Sequence, residues 1–227
     1  MTTDYSCLRF ATEEHVAQIL LDAPPVNCIG EGLLQDLEWL LDTLEHMPQL
    51  RAVVIGSTNP KIFCAGAEVN QFLSWDAESG AKMSGWGNRI FDRIAALPVP
   101  VICAISGGAY GGGLELAMAC DIRVAVMLCT GDPISGEEAL SCGLCDAVTE
   151  PGGALGQAMD IARRIADRAA PLALRGIKAC LNGRGPEGVQ SELPIENQWF
   201  GELCKTADRT EGVTAFRTRR KAEFRGE

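Results

Sequence analysis

The chain has 227 residues, 47% hydrophobic and 22% charged, with a formal net charge of −10. That is enough for one domain with a substantial core. The acidic balance (pI about 4.8) argues against nucleic acid as the main partner and against a basic membrane patch. It leaves open an anionic ligand held by a local cluster of cations.

In chain order, SCLRF (6–10) and HVAQILL (15–21) read as two short strands joined by a turn at ATEE. DAPPVN (22–27) is a proline-broken loop. Leu33, Leu37, Leu40, Leu41 and Leu44 recur at helical spacing across 32–47, and Pro48 stops that helix. RAVVIG (51–56) is a compact apolar run of the length of a strand buried on both faces. The loop STNPK leads into IFCAGAEV, then residues 81–96 read as a helix and 99–105 as a strand. A glycine-rich turn follows, then a helix over Leu114–Cys120 and the strand DIRVA. Strands alternating with helices imply crossover connections and parallel pairing, hence an α/β fold. From Pro151 onward the pattern is almost entirely helical. We expect a core over 1–150 and a helical region over 151–227.

Ten cysteines lie mostly within apolar runs, as in VICAIS and LAMACDI. MTTDYSCLRF lacks a long apolar secretory core, so reduced thiols and a cytoplasmic location are expected. Cys142 and Cys145 form a single CxxC without a second pair. It reads as a helix end and the turn after it, so no metal site is expected. No apolar run is long enough to span a bilayer.

FCAGAEV (Phe63 to Val69) and GGAYGGGLE (Gly107 to Glu115) each follow an apolar strand. Small residues there allow either tight turns or close approach of a ligand to the backbone. Two peptide N–H groups converging from separate turns make an oxyanion hole, with helix N-termini behind them adding positive potential. No GKS or GKT follows, so this is not a phosphate loop. Glu115 either caps the first turn of its helix or supplies a carboxylate for proton transfer.

FCAGAEVNQF, followed by PVICAISGGAYGGGLELAMACDIRVA, resembles the enoyl-CoA hydratase/isomerase (crotonase) family. DAPPVNCIGEGLLQDL resembles that family's first CoA-contacting loop and helix, and TGDPISGEEALSCGLCDAV its later helix and turn. ADRTEGVTAFRTRRKAEFRG resembles its C-terminal segment, so most of the chain is covered in the right order. The resemblance implies a spiral of β-β-α units with a C-terminal helical segment, assembled as a trimer or a dimer of trimers. It implies an acyl-CoA thioester as substrate, with no cofactor beyond the CoA carried by that substrate.

By position, the thioester oxygen would be held by the backbone N–H groups of Ala67 and Gly112, with Glu115 as a catalytic acid/base. Burial against the apolar helix would favour its protonated form. Ala65, Gly66, Ala67, Glu68 and Val69 resemble the adenine and pantetheine contact. Pro25, Val26, Lys61 and Tyr110 complete the expected CoA-binding set. Pro24 and Asn70 stand where many members carry lysine, so the resemblance implies either thinner phosphate contacts or contacts from Arg217, Arg219, Arg220 and Lys221. The resemblance implies a hydratase; a Δ3-Δ2-enoyl-CoA isomerase and a non-catalytic CoA-binding scaffold are the alternatives.

The family's second glutamate should follow DIRVA, but here DIRVA runs almost straight into VMLCTGDPISGEEAL. Either the chain has a deletion, or a stretch belonging between them is left out. A parallel crossover needs at least about a dozen residues, which favours omission. A deletion would also strip cover from the Leu114 helix. Glu137 and Glu138 read as the start of a surface helix and Glu68 as a structural acid, so none is the expected second acid.

Overall fold

The computed structural model describes residues 5–68, 76–125, 135–182, 184–185, 188–189 and 199–227. A six-stranded sheet has the order β1-β2-β4-β7-β9-β10. These strands are β1 (Leu8–Glu13), β2 (Val16–Leu21), β4 (Ala52–Ser57), β7 (Val101–Ile105), β9 (Ile122–Ala125) and β10 (Ala147–Val148). β1 and β2 form an antiparallel hairpin, and every other neighbour is parallel. The hairpin turns at Glu14–His15, later than ATEE suggests, with Glu14 at φ 51°.

The apolar strands alternate between two cores, as the period of a strand requires. Val53, Ile55, Val101, Cys103 and Ile105 face the larger one. There α1 (Glu31–Leu44) buries Leu33, Leu34, Leu37, Leu40, Leu41 and Leu44. It packs against α2 (Ala77–Ala96). Arg93 ties the two helices together, reaching Asp42 at 2.7 Å and Glu45 at 3.0 Å. α2 begins before the expected residue 81 because Asp76 and Ser79 form a reciprocal capping box.

Ala52, Val54, Ile102, Ala104 and Val124 face the opposite side, where α5 (Ala154–Arg168) covers them with Ala154, Ala158, Met159 and Ala162. The boundary expected at 150 therefore falls just before a helix that completes the sheet's second face. α6 (Pro171–Leu181) is anchored by buried Lys178, which meets Asp121 at 2.8 Å and donates to the Val99 carbonyl at 3.0 Å. The later chain is not all helical: β11 (Arg184–Gly185) and β12 (Gly188–Val189) pair as a short hairpin before α7 (Ala207–Thr218). Buried Asp208 then accepts from the N–H groups of Arg225 and Gly226 and holds the tail against α7.

Crossover length does not by itself require an omitted stretch after DIRVA. Residues 126–146, including α4 (Gly136–Ser141), lie between β9 and β10, well above the dozen that parallel pairing requires. In α3 (Gly112–Met118), Leu116 and Ala117 are buried and Met118 stands exposed. Among the described residues no helix is long and apolar enough to cross a membrane.

Candidate functional site

Two short parallel pairs beside the main sheet bring the glycine-bearing turns together. β3 (Cys28–Ile29) pairs with β6 (Gly66–Ala67), and β5 (Ile62–Cys64) pairs with β8 (Gly108–Ala109). Tyr110 N–H donates to the Cys64 carbonyl at 3.0 Å, and Gly108 N–H to the Lys61 carbonyl at 2.9 Å. Gly66, at φ +84°, lies between the turns. A Cβ there would sit 2.5 Å from the Tyr110 carbonyl oxygen and 3.3 Å from the Gly112 nitrogen. Only glycine satisfies both that dihedral and that approach.

Gly112 heads α3, so its N–H is one of the first-turn donors without an acceptor inside the helix. On the other turn, Glu68 N–H donates to the Ile29 carbonyl in the β3–β6 ladder. In a parallel pair of that phase Ile29 carries the bonds on both sides, and the Ala67 N–H faces away from the ladder. A Cβ on Gly112 would lie 3.9 Å from the Ala67 nitrogen and 4.0 Å from Glu115 Oε2. Both expected N–H groups and the expected carboxylate thus border one small space.

That space opens into a cleft of about 230 Å³. Ala67, Gly112 and Glu115 form one wall with Ile29 and Leu34; α2 supplies the other through Met83, Ser84, Gly87, Asn88 and Phe91. The α2 contribution escaped sequence reasoning. Its signal is a stripe at 84, 87, 88 and 91, helical spacing in which Ser84, Gly87 and Asn88 are small or polar and Phe91 is apolar. Glu115 is exposed, so the burial expected of it does not occur. It is the only carboxylate lining the cleft among the described residues.

Pro25, Val26 and Ala65 lie side by side: Ala65 N–H donates to the Val26 carbonyl at 3.0 Å, and the Asn59 amide to the Pro25 carbonyl at 3.0 Å. Lys61 is exposed, with its N–H bound by Asn59 Oδ1 at 2.9 Å. Glu68 is half-buried and Tyr110 exposed. None of these six lines the cleft itself. Val69 and Asn70 lie outside the described residues. The basic tail does not reach the cleft either. Arg220 is paired with Glu211 and Lys221 with Asp167, and Lys221 lines a separate cavity of about 480 Å³ beside Arg51. Glu138 caps its own helix by accepting from Ser135 N–H at 2.7 Å, as a surface helix start would.

Asn27 was also missed. It is buried at φ 53°, a left-handed conformation that asparagine tolerates better than most residues. Its Oδ1 accepts from Ala23 N–H, and its Nδ2 donates to Ser57 Oγ and the Phe63 carbonyl. It thereby fixes the first loop to the strand that carries the CAGAE turn. Cys64 beside it donates its thiol to the Asn27 carbonyl at 2.9 Å. Burial pushes that thiol up to about 12, so it is a protonated spacer and not a nucleophile. Asn27→Ala is expected to lose roughly 2–4 kcal/mol of stability through stranded backbone partners and an unfavourable dihedral. A urea titration checks this by the fall in its midpoint.

The sequence pattern of the enoyl-CoA hydratase/isomerase family matches residues 11–127 and 123–227. A probable enoyl-CoA hydratase of Bacillus subtilis (strain 168) is 29% identical, over 98% of this chain and 100% of its own. A short-chain-enoyl-CoA hydratase of Clostridium acetobutylicum is 28% identical over 93% of this chain and 94% of its own. The crystal structure of an enoyl-CoA hydratase from Bacillus anthracis superposes with a TM-score of 0.89 at 26% identity. It covers 98% of this chain and 100% of its own. The Bacillus subtilis alignment spans 259 positions, more than this chain's 227 residues, so part of that relative has no counterpart here. The two family matches meet at 123–127, the end of β9.

Proposed function

Because this chain belongs to the enoyl-CoA hydratase/isomerase family, an enzyme family with the crotonase fold, we propose that it adds water to a 2-enoyl-CoA. The observation that carries the reading is the convergence of the Ala67 nitrogen and Glu115 Oε2 on the space over Gly112. The thioester oxygen accepts from the Ala67 and Gly112 N–H groups. Glu115 takes a proton from water as the hydroxyl adds to C3, and the enolate charge collects on that oxygen. Glu115 then returns the proton to C2, so the net change is one water added. Two fixed donors in a site closed by bound substrate stabilise the enolate without reorganising, and each is worth on the order of 3 kcal/mol. Proton transfer by a positioned carboxylate adds roughly 10²–10⁴-fold.

Pro25, Val26, Ala65, Gly66, Glu68 and Tyr110 form the rim on which the CoA moiety rests, with Lys61 on its exposed edge facing the phosphates. Supporting an oligomer are five large apolar side chains exposed on the C-terminal part among the described residues, with Val213 at 51% the least exposed. Ile177 is 58% exposed, Leu181 80%, Phe200 70% and Phe216 85%. A trimer or a dimer of trimers covers them, and the molar mass in solution tests this.

The single carboxylate lining the cleft favours a second reading, Δ3-Δ2-enoyl-CoA isomerisation, in which Glu115 carries a proton between carbons and no water is used. Incubation with crotonyl-CoA separates the two. The hydratase reading expects loss of the conjugated thioester absorbance with formation of 3-hydroxybutyryl-CoA. Turnover of a 3-enoyl-CoA with no hydration of crotonyl-CoA contradicts it.

A further inference from the structure

We propose that the cleft selects short 2-enoyl-CoA thioesters whose acyl chain carries a neutral hydrogen-bonding group, a hydroxyl or carbonyl, and that Asn88 recognises it. This rests on the hydratase reading.

The first observation is Gly87. Glycine inside a helix costs about 1 kcal/mol relative to alanine. Gly87 has no positive φ that requires glycine, and a Cβ added there meets nothing within 4 Å. Neither backbone strain nor packing explains it; the space it leaves open is the cleft.

Asn88 is the second observation. Asparagine is a weak helix former because its amide competes for backbone hydrogen bonds. Here it sits well inside Ala77–Ala96, away from either cap, exposed and lining the cleft. Among the described residues its side chain makes no hydrogen bond, whereas Asn27, Asn59 and Asn182 all do. Ser84, one turn earlier on the same stripe, brings a hydroxyl to the same wall.

The surroundings decide what this amide accepts. Ile29, Leu34, Met83 and Phe91 make the rest of the acyl region apolar. A plain alkyl chain filling it takes water from the Asn88 amide and returns no partner, which opposes binding. A hydroxyl or carbonyl restores the bond, since the amide both donates and accepts. A carboxylate is disfavoured, because Glu115 lines the same cleft and no lysine, arginine or histidine does among the described residues.

The test compares kcat/KM for pentenoyl-CoA, its terminally hydroxylated analogue and its terminally carboxylated analogue. The hydroxylated substrate should be preferred over the plain one by about ten-fold, the ratio given by one ordinary hydrogen bond. The carboxylated one should be the poorest. Asn88→Leu should reverse the first ratio by raising turnover of the plain chain, a gain that misfolding cannot produce. Gly87→Val, filling open space, should depress pentenoyl-CoA more than crotonyl-CoA. Plain and hydroxylated chains turned over equally, or a ratio unmoved by Asn88→Leu, would overturn the inference while hydration of crotonyl-CoA keeps the hydratase reading. Failure of every thioester, crotonyl-CoA included, overturns both.

Discussion

Glu115→Gln is expected to lower hydration of crotonyl-CoA by roughly 10²–10⁴-fold while leaving thioester binding close to its original strength. Gln keeps the shape of the side chain and removes only its ability to take and return a proton. The fold should be indifferent to the change. Glu115 is exposed, and among the described residues its carboxylate has no hydrogen bond or ion pair to lose. The split between kcat and affinity is the informative readout. A loss confined to KM would make Glu115 a binding group. Unaltered kcat would return it to the other role its position allows, an acid favoured by the dipole at the start of α3.

Gly66→Ala should have the second large effect, and on two quantities at once. The added Cβ would lie 2.5 Å from the Tyr110 carbonyl oxygen, a backbone atom, so the two turns must move apart. The φ of +84° adds strain of about 1–3 kcal/mol. A displacement of about 1 Å between the Ala67 and Gly112 donors is enough to reduce kcat by roughly 10²-fold. Gly143→Ala is the matched control. It carries a similar φ of +75° but has open space around its Cβ and lies outside the cleft. It should lose stability in a denaturant titration and keep its activity. Equal losses of activity in the two variants would mean that the closeness of the turns has no part in catalysis.

The parts of this site that could be read from sequence are those whose chemistry is local. A strand followed by a glycine-bearing turn announces itself, and so does a carboxylate one helical turn beyond it. Ala67, Gly112 and Glu115 were expected together and border the same space. The strands were legible because apolar runs such as RAVVIG and VICAI are buried on both faces. The opposite wall of the cleft was not. α2 reaches it by packing on α1, a tertiary contact, and Ser84, Gly87 and Asn88 on its cleft face resemble a solvated surface in sequence. Asn27 was hidden for a similar reason, since its partners at Ser57 and Phe63 come from two later strands, β4 and β5. The hairpin turn moved because Glu14 adopts a positive φ without the glycine or asparagine that usually marks one. Crossover length is no guide at the end of DIRVA, because α4 itself lies within the connection from β9 to β10.

In the proposed reaction one carboxylate adds water across the double bond of an enoyl thioester. Turnover of crotonyl-CoA in deuterium oxide, followed by NMR of the product, tests it most directly. The expected product is 3-hydroxybutyryl-CoA carrying one deuterium at C2, and it should be lost in Glu115→Gln. A product with a shifted double bond and no hydroxyl group, or hydration undiminished in Glu115→Gln, would contradict it.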